Sequence, residues 1–234
     1  MFKLLSTANP KIQKGTAKGY LSFILHLAPS DLSGHNVCPK ATPGCIASCL
    51  NTAGRGGMFK KGETTNVIQR ARIRKTEYFY NDRVGFFNDL TRDINKAKAM
   101  AAKLGLKPVF RLNGTSDLSW EKYEVNGTGL NIFQIFPEVQ FYDYTKVLGR
   151  KVFHLSNYHL TFSRAESNDK DVARALIQGY NVATVYDQIP EGMYSADEDD
   201  LRFLDGARGI IGLKAKGRAK KDYSGFVIRI KELA

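Results

Sequence analysis

Apolar runs and amphipathic stretches alternate along the chain. The segment Tyr20-Leu-Ser-Phe-Ile-Leu-His-Leu27 is an apolar run of strand length and predicts a buried strand. Shorter runs of the same kind recur at Val109–Leu112, Val139–Tyr142, Val152–Leu155, His159–Phe162, Val182–Tyr186, Ile210–Leu213 and Phe226–Ile230. Helical patterns fall between some of them. Glu63–Tyr80 offers Val67, Ile68, Ala71 and Tyr78 for burial, with Thr64 and Thr65 near its start. A second helix is expected over about Val84–Leu104, stopped by Gly105, and a third over Asp169–Gln178, closed by Gly179. Strands alternating with helices predict a mainly parallel sheet. Neither a repeat nor a Pro/Gly/Ser-rich linker divides the chain, so residues 1–234 read as one α/β domain. The expected architecture is an irregular or partial TIM-like barrel, because the helices between the later strands are too short for a regular eightfold one.

One stretch breaks the alternation. Ala28–Gly62, rich in Gly and Pro, reads as a long loop, and loops of that length tend to be functional. All three cysteines of the chain lie in it, at Cys38, Cys45 and Cys49, spaced C-x6-C-x3-C within SGHNVCPKATPGCIASCLNTAGRGG. An odd cysteine count argues against a disulfide framework and for a metal or catalytic site. Thiolates are soft ligands, and Pro39, Pro43 and Gly44 permit the reversals that bring separated sulfurs together. Cys45 and Cys49 would share one face of a short helix. Two metals fit the set. Zinc would take His35, three residues before Cys38, as its fourth ligand. A [4Fe–4S] cube held by three cysteines would keep one iron open to water, substrate or cofactor. A loop placed just after the first long strand favours the cube, since parallel α/β folds carry their active sites at the carboxyl ends of strands.

Other polar residues gather at predicted strand ends and would face the same mouth. Asp117 and Lys146 are the candidates for catalysis, and Asn113, Ser116, Tyr144, Asn157, Ser163, Asp187 and Lys214 for substrate binding. No G-x-S-x-G elbow surrounds Ser163, and His154 and His159 fit structural roles within strands. No P-loop and no H-E-x-x-H is present. The acidic run Asp197–Asp200 reads as a solvated helix N-terminus, and the basic run Lys214–Lys221 as a loop in which Gly212 and Gly217 would admit a ligand to the backbone.

Composition narrows the class. With 43% hydrophobic and 25% charged residues the 234-residue chain is of ordinary globular type. No apolar run approaches a membrane span, and the first residues carry no signal-peptide pattern, so a cytoplasmic protein without membrane contact is expected. The net charge of +12 suggests anionic partners. Arg70 and Arg74 share a helix face, whereas Arg72 lies about 160° away from Arg70. Without one clean basic stripe or a reading motif, the expectation is weak, nonspecific nucleic-acid binding.

The architecture resembles that of radical S-adenosylmethionine enzymes, whose α/β barrels carry a three-cysteine [4Fe–4S] cluster after strand one. Their C-x3-C-x2-C spacing differs from the one here, Ser48 stands where an aromatic precedes their third cysteine, and Asn113-Gly-Thr-Ser-Asp117 replaces their glycine motif. A closer resemblance runs through NPKIQKG, LHLAPSDLSG, the cysteine loop with GRGG, FRLNGTSDLSWE, FPEVQFYDYTK, NYHLTFS and FLDGARGIIGLKAKGRAKKDYSGFVI. These segments are similar to phage and prophage proteins of the gene-product-eighty-eight type. That resemblance implies viral origin, a single domain in the host cytosol and a cysteine loop consistent with iron–sulfur binding, but no reaction. The leading expectation is an iron–sulfur enzyme for a small molecule. It would be hydrolase- or lyase-like with the open iron as Lewis acid, or radical-type with S-adenosylmethionine. The alternative is a nucleic-acid-binding module with structural zinc.

Overall fold

The computed structural model describes residues 3–7 and 14–230; residues 9–13 of the NPKIQKG segment lie outside them. The described residues build one eight-stranded sheet: β1 (Leu5–Ser6), β2 (Tyr20–Leu25), β3 (Lys107–Arg111), β4 (Gln140–Thr145), β5 (Tyr158–Ser163), β6 (Val182–Tyr186), β7 (Ile210–Lys214) and β8 (Val227–Ile228). Strands β1 to β7 follow one another across the sheet in chain order. Only the β1–β2 pair is antiparallel. β8 joins β6 rather than a sheet edge. β7 pairs with β6 along its whole length, while β5 pairs only with Val182 and Ala183, and β8 with Val185 and Tyr186. β5 and β8 therefore share one edge of β6, and β8 fills the gap where β5 ends at Ser163.

Alternation along the strands gives the sheet two apolar faces. On one, Phe23, Phe110 and Phe141 contact each other across three strands, with ring centroids 5.4 and 5.5 Å apart. This face joins the core built by α2 (Val67–Asn81) and α3 (Arg83–Lys103), through Phe79, Phe86, Phe87, Leu90 and Ile94, all fully buried. Phe79 and Phe86 also pack on Trp120, at 5.3 and 6.2 Å between centroids, which anchors the segment after β3 to the helices. A short α4 (Ile132–Ile135) precedes β4, and α5 (Asp169–Ile177) covers Phe162 and Val182 through Val172, Ala175 and Leu176. On the opposite face Tyr20, Val109 and Tyr142 meet Leu201 and Phe203 of the β6–β7 connection. That connection first bridges β7, with the Ala196 N–H donating to Gly212 O, and then crosses the sheet.

Several elements depart from the sequence reading. Val152–Leu155 is not a strand but a series of turns, in which Leu155 N–H donates to Val152 O and Tyr158 N–H to Leu155 O. Its buried residues, Val152 and Leu155, are three apart, the spacing of a turn rather than of a pleat, and Phe153 is exposed. The second long helix agrees closely, but α2 begins only at Val67, because Asn66 caps it by accepting the Gln69 N–H. Thr64 and Thr65 lie outside it. The 28–62 stretch is not wholly irregular: it contains α1 (Pro43–Ala47) and 3-10 turns at Leu50–Thr52 and Gly54–Gly57. α1 stops before Cys49, so Cys45 and Cys49 do not share a helix face; Cys49 instead caps the next turn. A 3-10 turn, Gly217–Lys221, also interrupts the basic run. Among the described residues, no helix is long and apolar enough to cross a membrane.

Candidate functional site

The parallel strands all end on one rim, and a cavity of about 630 Å³ opens there. Its walls come from the end of β2, the cysteine loop, α2, the segments after β3 and β4, and the basic run after β7.

The segment after β3 is organised by Asn113, which is 2% exposed. Its Oδ1 accepts from Ser116 Oγ (2.9 Å), Leu118 N (3.0 Å) and Trp120 Nε1 (3.1 Å), while its Nδ2 donates to Leu118 O. Its own N–H donates to Asp143 Oδ1 at 2.7 Å. The next residue must be glycine. A Cβ at Gly114 would lie 2.7 Å from Leu25 O and 2.8 Å from the His26 ring, so only a bare backbone reaches the end of β2. The turn delivers Asp117 to the cavity, where Oδ2 accepts the Lys146 N–H at 2.8 Å. Asp117 Oδ1, buried, has no partner.

The cysteine loop is clamped from distant parts of the chain. Glu166, after β5, accepts from the Gly44 N–H at 2.7 Å and from Thr42 Oγ1 at 2.6 Å. Thr42 Oγ1 in turn accepts from the Cys45 N–H. Ser48 hydrogen-bonds Asp222. Arg72 of α2 reaches across to Asn51, with 2.6 Å to its Oδ1. Asn66 holds the far part of the loop through the carbonyls of Arg55, Gly56 and Met58.

Cys38, Cys45 and Cys49 all line the cavity, each half-buried and reduced. Burial pushes the Cys38 thiol up to about 12, with Cys49, Asp117 and Cys45 adding to the shift. Burial raises Cys49 likewise, against Lys146 and Arg72, which lower it. Burial acts against the Lys146 ammonium, while Cys45, Asp117 and Cys38 raise its pKa. Burial also raises the Asp117 carboxyl, favouring its protonated form. Three soft donors with two flanking cations suit a thiolate-bound metal in donor type and charge. Among the described residues no three His, Cys, Asp or Glu side chains already form a metal-binding group, so a metal would have to draw the thiols together.

Ten of the twelve residues expected in the site line this cavity: the three cysteines, Asp117, Lys146, Asn113, Ser116, Tyr144, Ser163 and Lys214. Two do not. Asn157 sits at the opposite, amino end of β5, donating to Phe133 O, Phe136 O and Val139 O. It was expected beyond a strand that is in fact a turn. Asp187 follows β6 but accepts from Gln188 N and Ile230 N and pairs with Arg229, tying down the chain after β8. His35 stacks on Tyr80, 4.0 Å between centroids, and does not line the cavity. His154 is exposed, and His159 lies near Arg202 beneath the sheet. The acidic run is no solvated helix start. Asp199 and Asp200 are 2% and 4% exposed; Asp199 pairs with Lys18 and Arg202, and Asp200 with Arg111. Gly217 brings its backbone against Ala53 of the cysteine loop, where a Cβ would lie 3.1 Å from Ala53 Cα, and does not line the cavity.

The sequence reading missed His26, Arg72, Arg111 and Glu166. Arg111 and His26 carried a signal, each a polar residue inside an otherwise apolar strand pattern. Arg72 carried another, pointing away from Arg70 on the same helix. Glu166 had none, since its partners lie more than a hundred residues away.

A family model described as Gene product 88 matches residues 3–230, nearly the whole chain. The chain belongs to the Gene product 88 family. No curated protein and no solved structure matches it. Family membership therefore fixes kinship and leaves the chemistry to be argued from the cavity.

Proposed function

We propose that this member of the Gene product 88 family is a phage iron–sulfur enzyme acting on a small molecule in the host cytosol. The observation that carries it is the convergence of Cys38, Cys45 and Cys49 on one cavity with Asp117 and Lys146, at the carboxyl ends of parallel strands. The sequential order of β2 to β7 fits a partial barrel wrapped around the Leu201–Phe203 segment, the finer form of the fold that we favour. The three cysteines would hold a [4Fe–4S] cluster. When bound it would supply one iron without a protein sulfur, suited to Lewis-acid hydrolysis or hydration, or to S-adenosylmethionine binding.

The chain's own groups have separate parts. Lys146 offsets thiolate charge. Asp117 can hold a proton on Oδ1, the atom with no partner, and give or take it at the substrate. Asn113 and Ser116 spend their hydrogen bonds on the turn and so position Asp117. Tyr144 and Ser163 line the substrate space.

Anaerobic purification followed by iron and sulfide analysis tests the reading. About four of each per chain is expected, with a brown colour. Cys45→Ser is expected to lose most of both. A colourless protein with one zinc, or full iron in the Cys45→Ser variant, would overturn it, and the zinc result would favour a nucleic-acid-binding module.

A further inference from the structure

The cations around the cavity are not used up by its carboxylates. Six line it (Arg72, Arg111, Lys146, Arg164, Lys214 and Lys216) against three carboxylates, Asp117, Asp197 and Asp200. The arginines of this protein that lie deepest have acidic partners: Arg202 pairs with Asp199 and Asp205, and Arg150 with Glu121. Arg72 differs. Half-buried in the cavity wall, it makes its hydrogen bonds to the neutral Asn51, and among the ion pairs of the described residues it has none. A cation withdrawn from water with no carboxylate and only the Cys49 thiol beside it is costly, and a site that keeps one suits an incoming anion.

Arg111 supplies the second half. At the end of β3 it lies over the Tyr144 ring, 4.6 Å from its centroid, and one guanidinium nitrogen faces Asp200 at 3.3 Å. Its Nε is buried with no partner, and so is the Tyr144 hydroxyl. His26, on the same wall, is near enough to both arginines that burial first, then Arg72 and Arg111, lower its pKa to about 3. It is therefore a neutral donor or acceptor beside two cations, and adds no positive charge that would need an extra counter-ion.

We propose that Arg72 and Arg111, with Tyr144 and His26, form an oxyanion subsite that takes a carboxylate or phosphate group of the cavity's small-molecule ligand. The planar guanidinium fork matches either group. This rests on the reading of the cavity as a ligand site, but not on which metal the cysteines hold. It also gives the basic excess a local use that requires no nucleic acid.

Calorimetric titration of the purified full chain with inorganic phosphate and, separately, with succinate tests it, at equal ionic strength against chloride. Saturable binding of one of the two at one site per chain is expected, and which one binds distinguishes phosphate from carboxylate. Arg72→Gln and Arg111→Gln should each weaken it at least tenfold. Lys96→Gln, in a separate basic hollow beside Lys3 and Arg92, should leave it unchanged. Should Arg111→Gln fail to fold because Asp200 loses its partner, Arg111→Lys keeps the charge, loses the fork and is still expected to weaken binding. Absence of saturable binding for both anions overturns the proposal, as does binding that Arg72→Gln leaves intact or that Lys96→Gln weakens equally. Iron is assayed in the same samples: anion binding without iron removes only the cluster, whereas iron without anion binding removes only the subsite.

Discussion

Asp143 serves the scaffold behind the cavity rather than the cavity itself. Fully buried on β4, it accepts from the Asn113 N–H and from Tyr158 Oη at 3.0 Å, and does not line the cavity. Burial pushes its carboxyl up to about 7, although Asn113, Arg111 and Arg150 act the other way. Between its ordinary value of 3.8 and about 7, the folded chain keeps a proton that the unfolded chain has released. Stability contributed by this group is thus present in acid and lost as pH rises through that window, by up to about 1.4 kcal/mol per pH unit. Asp143→Asn mimics the protonated acid, with an oxygen for Asn113 and an N–H donor. Thermal unfolding at about pH 5 and about pH 7.5 should show wild type losing stability relative to the variant across that interval. Parallel behaviour of the two proteins would mean that Asp143 titrates normally.

At the scale of elements, the helix that carries Cys45 is too short to hold itself. Five residues lie far below the length at which a helix is stable alone, so α1 depends on outside partners. Its cap, Thr42, is itself held by Glu166, which also takes the Gly44 N–H. Glu166→Ala should cost about 1–2 kcal/mol locally. Amide exchange over residues 42–52 should quicken while the sheet stays protected; unchanged exchange there would show that the clamp is redundant. Gly44→Ala should loosen the same region by a different route, because its Cβ would lie 2.1 Å from Ser224 Oγ and 2.9 Å from the Glu166 carboxyl. Together these contacts make the cysteine loop a dependant of the β5–α5 connection and of the segment just before β8.

At the scale of the whole molecule, the net charge of +12 attracts polyanions without a single basic face to bind them. The buried ion pairs of Arg150 and Arg202 leave that net charge unchanged, while Arg72, Arg111, Lys214 and Lys216 belong to the cavity wall. Nucleic-acid binding is therefore expected to be weak and independent of sequence. With roughly 6–10 phosphate contacts it should fall by orders of magnitude between about 50 and 200 mM salt. Filter binding at the two concentrations checks this. Tight, sequence-selective binding that survives the higher salt would make the nucleic-acid module the better reading.

Periodicity and turn chemistry are local properties, and the sequence by itself determined what depends on them. Apolar runs marked β2 to β7, Gly105 and Gly179 marked helix ends, and the turn-rich cysteine loop was evident from its Gly and Pro content and its three thiols. The same logic failed at Val152–Leu155, where four apolar-leaning residues fit a turn as well as a pleat. Only the tertiary structure decided that β8 slips in beside β5, that Asp199 and Asp200 turn inward to arginines, and that Glu166 grips the cysteine loop from 122 residues away. Each of these is a pairing between distant segments, fixed by burial and by the need to satisfy buried polar groups once the chain has closed on itself. The Arg72 and Arg111 wall belongs to the same class: each stands out in its own local pattern, but only the shared cavity makes them one site.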